Sequence, residues 1–343
     1  MGETQGIGIH MQLWQNSSEG PRVSNFTECW RILKENIRRR WKVVQFLFAV
    51  FIFFIIRERL NFYWKNLLYY EWRLDYQCFF ASMLLASVTL LSLAVWWVLS
   101  LRLLREHIEW KQGVKIWAWS QLAKYLPGSI WNYVGRLYAC ERAGLPKRST
   151  MISLAVEALL RIQSGIIIFL ISLPFWPIEK WFKPVPVVAI GVLLVSLLIL
   201  NPYSIREAIK FRSRTLLVPH DDFVSLKYGH IIGLLGGHIL TVVGIGGAFY
   251  LMVRSIYYVP VNAILPITGM LSVSVIVGFL NPLTPQGLGT REALLIVLLS
   301  YYLPVPVTAM VALLSRLWLM ASEVLGVLIV TTIFYIRIPV SSR

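Results

Sequence analysis

The hydrophobic positions of this chain fall into long, largely uncharged runs, and short polar segments separate one run from the next. Uncharged runs of about 20 residues are typical of helices that cross a membrane, whose hydrocarbon core is about 30 Å thick. The mean hydropathy of +0.64 points the same way. We therefore expect an all-α polytopic membrane protein with six full transmembrane helices, at residues 43–56, 78–101, 149–173, 185–200, 231–253 and 307–335.

One apolar stretch near the C-terminal end, Leu265–Tyr302, is broken in its middle. Its two apolar halves flank the segment Asn281–Gly289, which contains prolines and glycines. These residues disfavour a continuous helix, and a half of some 14 helical residues reaches only about 21 Å, so neither half is expected to span the membrane. We predict a re-entrant hairpin of two half-helices, because irregular backbone at that depth is stable only inside protein or beside a polar cavity.

A second broken stretch, Trp117–Leu145, is interrupted at Pro127. Pro146 follows Pro127 at the same spacing as Pro304 follows Pro285. Three full transmembrane helices lie between the two stretches, so the second hairpin would enter the membrane from the opposite side. This is the plan of transporters built from inverted repeats, whose broken helices meet near the membrane midplane. A chance spacing of prolines is the alternative.

The distribution of Lys and Arg indicates the orientation. Most of the 33 Lys and Arg residues fall in alternate segments between the predicted helices, and cytoplasmic segments are the ones enriched in these residues. Both termini are therefore expected in the cytoplasm, and the protein in the cell (inner) membrane. We divide the chain into a polar cytoplasmic tail at residues 1–40, one transmembrane domain at 41–336 and a short cytoplasmic C-terminus at 337–343.

Composition limits the chemistry that the chain can perform. The net charge of +16 is expected mainly to mark cytoplasmic loops, and it could also attract anionic lipid headgroups. The three cysteines, Cys29, Cys78 and Cys140, lack the spacing of a disulfide or metal site. We find no catalytic motif, so we predict no metal, no cofactor and no nucleic-acid partner, and we favour a transporter over an enzyme.

Four acidic or basic residues of the types Asp, Glu, Lys and Arg lie inside predicted full transmembrane helices, where a charge is costly. Glu157 precedes Arg161 by four residues, the favourable helical order for an ion pair. Arg316 and Glu323 lie on one helix face, two turns apart. Each of these could be a structural pair whose members neutralise each other, or could serve the function.

Arg291 lies in the first turn of the second half-helix, where the helix dipole disfavours a cation. Glu292 beside it offsets the charge but points in another direction around the helix. A bound anion would satisfy Arg291, the free N–H groups of the first turn and the backbone of Gly287 and Gly289 together. Phosphate is the candidate anion.

Arg136 occupies the matching position in the first broken stretch. It would bind the same kind of anion from the other side of the membrane, with Lys124 and Arg142 near the cytoplasmic face.

The segment Pro285–Glu292 resembles the signature Pro-Gly-Gly-x-Gly-x-Arg-Glu of the lysylphosphatidylglycerol synthase transmembrane, or flippase-like, family. The segment Tyr125–Gly144 is similar to the first motif of that family. The chain looks like the stand-alone members that are often associated with glycan assembly. Gln286 departs from the usual glycine, and no acidic residue follows closely after Arg161, where many relatives have one.

The resemblance implies lipid translocation, and it does not imply aminoacyl transfer, because the soluble synthase domain is absent. We expect flippase-type transport of an anionic phosphate-bearing lipid, either a phospholipid or a polyprenyl-phosphate-linked lipid. One alternative is a membrane-embedded transferase with Glu292 or Glu323 as its base. Another is a non-catalytic membrane partner of a lipid- or glycan-synthesising enzyme.

The expected headgroup-binding residues are Arg291, Arg136, Gly287, Gly289, Glu292 and Gln286. The expected supporting charges are Glu157, Arg161, Arg316 and Glu323, and the helix-breaking prolines are Pro127 and Pro285.

Overall fold

The computed structural model describes residues 74–125, 131–176, 190, 191, 194, 228–281 and 287–334. All of them belong to one compact unit, Phe54–Arg343. The polar tail, the predicted helix at 43–56, most of that at 185–200 and the C-terminus at 337–343 lie outside the described residues. Pro127, Pro285 and Gln286 also lie outside them.

The described residues form eight α-helices. In chain order they are α1 (Tyr76–Leu103), α2 (Trp110–Leu122), α3 (Trp131–Arg142), α4 (Lys147–Ser172), α5 (Tyr228–Ile256), α6 (Ile264–Leu280), α7 (Thr290–Leu299) and α8 (Val305–Ile333). Short 3₁₀ turns follow α2 and α4 and precede α6, at Ala123–Tyr125, Leu173–Phe175 and Val261–Ala263.

Five of these segments are long and apolar enough to cross a membrane. Four of the five, formed by α1, α4, α5 and α8, confirm the helices predicted from hydropathy. The uncharged runs set their lengths, because a helix of 28 or 29 residues extends over about 42 Å and covers the hydrocarbon core with its flanks. The chain is thus an all-helical polytopic membrane protein.

The fifth segment corrects a prediction. Val261–Leu280 has 20 residues and is apolar enough to cross a membrane, whereas the first half of the broken stretch was expected to be too short. The helix begins earlier than predicted because Pro266 lies in the first turn of α6, where proline costs no backbone hydrogen bond. The second half, α7, has only 10 residues and extends over about 15 Å.

The long helices run between two ends of the bundle. The Asp75 N–H donates to the Ser255 C=O at 2.8 Å, so α1 begins where α5 ends. The Tyr302 hydroxyl donates to the Phe175 C=O at 3.1 Å, so the turn before α8 lies at the end of α4. We call this end the Ser255 end. The opposite end, where α1 finishes, is called the Leu103 end.

Two helical hairpins enter the bundle from these opposite ends. Helices α2 and α3 pack against each other and begin and finish at the Leu103 end, because the Arg102 guanidinium stacks 4.2 Å from the Trp110 ring and α4 follows α3 directly. Helices α6 and α7 pack together and begin and finish at the Ser255 end. Each hairpin therefore brings the described residues beside its turn, Tyr125 in one and Gly287 in the other, into the bundle.

Helix α5 packs against α1, α4 and α6, as its small residues predict. A Cβ at Gly237, Gly244 or Gly246 would lie within 2.5 Å of side chains of neighbouring helices. The contacted residues are Trp96 and Thr89 of α1 and Thr268 of α6. Small residues at these positions let the helices approach closely.

Candidate functional site

The turns of both hairpins contact α8, at two residues on one face of this helix. Arg316 lies 11 residues after the start of α8 and Glu323 lies 10 residues before its end. Because a helix rises 1.5 Å per residue, both lie about 15–17 Å from the nearer end, in the middle of the bundle. The two positions are about 10 Å apart along the helix.

The turn of the second hairpin depends on Gly287. Its φ of +65° is disfavoured for side chains other than glycine, and a Cβ there would lie 2.2 Å from the Gly278 Cα of α6. The turn is tied down where the Asn281 amide donates to the Thr290 hydroxyl, which donates to the Gly287 C=O at 3.0 Å. Close backbone contact therefore fixes the start of α7.

Glu292 caps α7 and links it to α8. One carboxylate oxygen accepts a hydrogen bond from the Gly289 N–H at 2.7 Å, and the other accepts from Arg316 Nη1 at 2.9 Å. Gly289 has a φ of +87°, which aims its N–H back at the helix. This N–H was expected to be free for an anion, and the structure shows that Glu292 already occupies it.

Arg291, the residue before Glu292, has no ion-pair partner among the described residues. It is 9% exposed, its Nε makes no hydrogen bond, and none of the described carboxylates lies within ion-pair distance of it. It is close enough to Tyr125, Glu292 and Glu323 to interact with them electrostatically. A guanidinium in this position is a charge-assisted donor without an acceptor.

The first hairpin presents a different arrangement around Glu157 of α4. Arg136 of α3 is 1% exposed, and its Nη1 donates to Glu157 Oε2 at 2.5 Å. Arg161, one helical turn after Glu157, donates to the other carboxylate oxygen, which confirms the pair predicted from their spacing. Glu157 is thus shared between two arginines.

Aromatic and hydroxyl side chains surround this triad. The Arg136 guanidinium stacks 4.9 Å from the Trp97 ring and 5.5 Å from the Trp117 ring, and its Nε donates to the Ser120 hydroxyl at 3.0 Å. The Trp117 indole N–H donates to Glu157 at 3.1 Å. These contacts hold Arg136 firmly in place, because a planar guanidinium suits both stacking and directed hydrogen bonds.

Glu323 binds the turn of the first hairpin. Its carboxylate accepts hydrogen bonds from the Lys124 ammonium group and, at 2.8 Å, from the Tyr125 hydroxyl. Arg316 and Glu323 are therefore not partners of each other, contrary to one reading of their spacing. Each belongs instead to one hairpin turn.

These residues form a continuous group of charges. Lys124 interacts electrostatically with Arg161 on one side and with Arg291 on the other. We call the group the central charge cluster, and its members are Lys124, Arg136, Glu157, Arg161, Arg291, Glu292, Arg316 and Glu323. The structure thus brings together the charged residues that the sequence singled out as binding or supporting residues.

Four residues did not follow the sequence interpretation in detail. Lys124, expected near the cytoplasmic face, lies deeper in the bundle, where it binds Glu323 in the middle of α8. Arg142 lies exposed at the end of α3, with its guanidinium 4.6 Å from the Tyr138 ring, away from the cluster. Tyr125 and Trp117 were not identified as functional residues. The sequence feature that could have identified them is the high aromatic content of Trp117–Leu145, a stretch that is too polar to face lipid.

The fold and the site define a polytopic helical membrane protein with a buried charge cluster between two helical hairpins. The chain belongs to the lysylphosphatidylglycerol synthase transmembrane family, because the family model, which describes the transmembrane region of these synthases, matches residues 42–322. A search of the curated proteins finds no match. Membership confirms the resemblance noted in the segment Pro285–Glu292 and indicates a membrane protein that acts on lipids.

Proposed function

We propose that this protein moves an anionic, phosphate-bearing lipid between the two leaflets of the cell membrane. The observation that carries the proposal is Arg291, a buried guanidinium at the start of α7 with no ion-pair partner among the described residues. Its natural ligand is an oxyanion, because the planar guanidinium group matches two phosphate oxygens. Arg136 and Arg161, which share Glu157, supply the positive charge on the side of the first hairpin.

The arrangement of the helices supports transport. Helices α1 to α4 and α5 to α8 each consist of a long helix, a short hairpin and another long helix, and α1 runs antiparallel to α5. We interpret these halves as an inverted repeat with both termini in the cytoplasm. In such a repeat the two half-sites meet near the membrane midplane and open alternately to the two sides.

The transferase alternative needs a carboxylate that can act as a base. Glu292 accepts hydrogen bonds from Gly289 and Arg316, and Glu323 accepts them from Lys124 and Tyr125. Each carboxylate is thus already occupied by donors of the protein itself, whereas a general base must be free to contact the proton that it removes. Transport therefore fits the cluster better than catalysis does.

The test is translocation of a fluorescent anionic phospholipid in liposomes that contain the purified protein. We expect Arg291→Ala to abolish movement of the lipid between leaflets, and Arg254→Ala to preserve it. Arg254 is an exposed arginine at the end of α5, outside the cluster. Full translocation by Arg291→Ala, in protein that unfolds at the wild-type temperature, would contradict the proposal.

A further inference from the structure

The central charge cluster holds two more cations than carboxylates. Its cations are one lysine and four arginines, and its carboxylates are Glu157, Glu292 and Glu323. His238 also lies close enough to Glu157 and Arg161 to interact with them electrostatically, and its Nδ1 lies 2.8 Å from the Leu234 C=O.

The two uncompensated positive charges are divided equally between the two halves of the bundle, α1 to α4 and α5 to α8. Glu323 balances Lys124, and Glu157 serves both Arg136 and Arg161. In the second half, Glu292 is the only acidic residue of α7 and bonds Arg316 of α8, while the adjacent Arg291 has no ion-pair partner among the described residues. Each half thus contributes a pair of arginines with one glutamate, and a single uncompensated charge.

The one other acidic residue of the predicted membrane segments, Glu141, does not compensate this charge, because it pairs with Lys147 at the exposed end of α3. The segments 126–130 and 282–286 contain neither Asp nor Glu, and the predicted helices at 43–56 and 185–200 contain none either. Leaving two positive charges unpaired in a low-dielectric interior is costly. A ligand that carries two negative charges would neutralise the cluster, whereas a ligand with one would leave a charge unpaired.

We propose that the site takes a phosphate group with two negative charges, a phosphomonoester or a diphosphate, in preference to the phosphodiester of ordinary phospholipids. The inference rests on the proposed function, since it specifies the headgroup of the transported lipid. A phosphomonoester carries nearly two charges at neutral pH because its second pKa is about 6, and a phosphodiester carries only one. Arg161 and Arg291 are the donors: the Arg161 side chain is 37% exposed, and Arg291 lacks an acceptor.

The experiment compares three probes bound to the full-length protein in uncharged detergent micelles at about pH 8. Dodecyl phosphate is the phosphomonoester, and its methyl ester is a phosphodiester that differs by one methyl group and one charge. Inorganic phosphate tests whether a lipid tail is required. Because a hydrogen bond to a charged group is worth more than tenfold in affinity, we expect dodecyl phosphate to bind about tenfold tighter than its methyl ester or better.

A change of pH provides an internal control. At about pH 5 the phosphomonoester binds its second proton and carries a single charge. Its advantage over the methyl ester should then be lost, while any titration of the protein alters binding of both probes. A tenfold preference that persists at this pH would mean that the missing methyl group, and not charge, is recognised, and this would overturn the inference.

Two variants locate the preference. Arg291→Gln and Arg161→Gln each remove one uncompensated charge, so each should reduce the preference for dodecyl phosphate at least several-fold. Arg254→Gln makes the same substitution outside the cluster and should leave the preference unchanged. If both cluster variants keep the wild-type preference, the inference is overturned.

The outcomes separate this inference from the proposed function. Equal binding of the two esters overturns the preference for two charges and leaves transport of an anionic lipid intact. Inorganic phosphate binding as tightly as dodecyl phosphate supports the preference and overturns the assignment of a lipid substrate. Absence of binding by all three probes overturns both.

Discussion

Arg316 Nη1 lies 2.9 Å from Glu292 Oε1, and this contact joins the middle of α8 to the first turn of α7. The Glu292 side chain is 8% exposed and the Arg316 side chain 25%. The contact is the only direct ion pair described between the second hairpin and the long helices, so it anchors the hairpin turn within the described part of the bundle.

This ion pair can be measured by a double-mutant cycle. We expect Glu292→Gln and Arg316→Gln each to destabilise the protein by about 2–4 kcal/mol, because each leaves a buried charge without its partner. The double variant should recover part of the loss, with a coupling of roughly 0.5–3 kcal/mol. Thermal unfolding in detergent micelles supplies the free energies, and strictly additive effects would contradict the contact.

Gly287 provides a sharper test of the hairpin turn. Gly287→Ala must place a methyl group against the α6 backbone at a φ of +65°, so we expect at least about 2 kcal/mol of destabilisation. Gly236→Ala is the matched control, because this exposed helical glycine has open space around it and alanine should stabilise it slightly. Similar unfolding temperatures for the two variants would be inconsistent with the close contact.

The first hairpin makes a parallel prediction. Glu157→Gln leaves Arg136 and Arg161 without a counter-charge, so we expect a loss of about 3–5 kcal/mol of stability. Glu141→Gln removes a carboxylate from the exposed pair with Lys147, whose side chains are 48% and 61% exposed, and should cost less than about 1 kcal/mol. Equal costs in thermal unfolding would show that burial does not strengthen the Glu157 contacts.

Cysteine labelling tests whether the hairpins enter from opposite sides. In a variant without Cys29, Cys78 and Cys140, we expect Gly128→Cys to react with a membrane-impermeant maleimide added from the cytoplasmic side. Leu288→Cys, at a residue that is 50% exposed, should react from the opposite side. Labelling of both from one side would eliminate the inverted repeat.

The helices of this protein were predictable from the sequence because lipid imposes a simple requirement: about 20 apolar residues in a row with every backbone group bonded internally. The pair of Glu157 and Arg161 was predictable for a similar reason, since residues four apart on a helix are neighbours. The first half of the broken stretch was expected to be too short to cross the membrane, and this prediction was wrong, because the helical segment begins at Val261 and the first turn of α6 tolerates Pro266.

The remaining contacts of the site could not be predicted in this way. Arg136 meets Glu157, and Lys124 meets Glu323, only because separate helices pack together. The spacing of Arg316 and Glu323 gave a misleading signal: residues seven apart share a helix face but lie about 10 Å apart, too far for direct contact. Tertiary packing and not sequence distance decides such pairs.

Helix α8 also has a mechanical consequence. It receives the turn of one hairpin at Arg316 and the turn of the other at Glu323, and a continuous α-helix is stiff along its axis. Any sliding of α8 toward one end of the bundle must therefore displace both contacts together and in the same direction. A shift of α8 along its axis thus couples the two sides of the site mechanically.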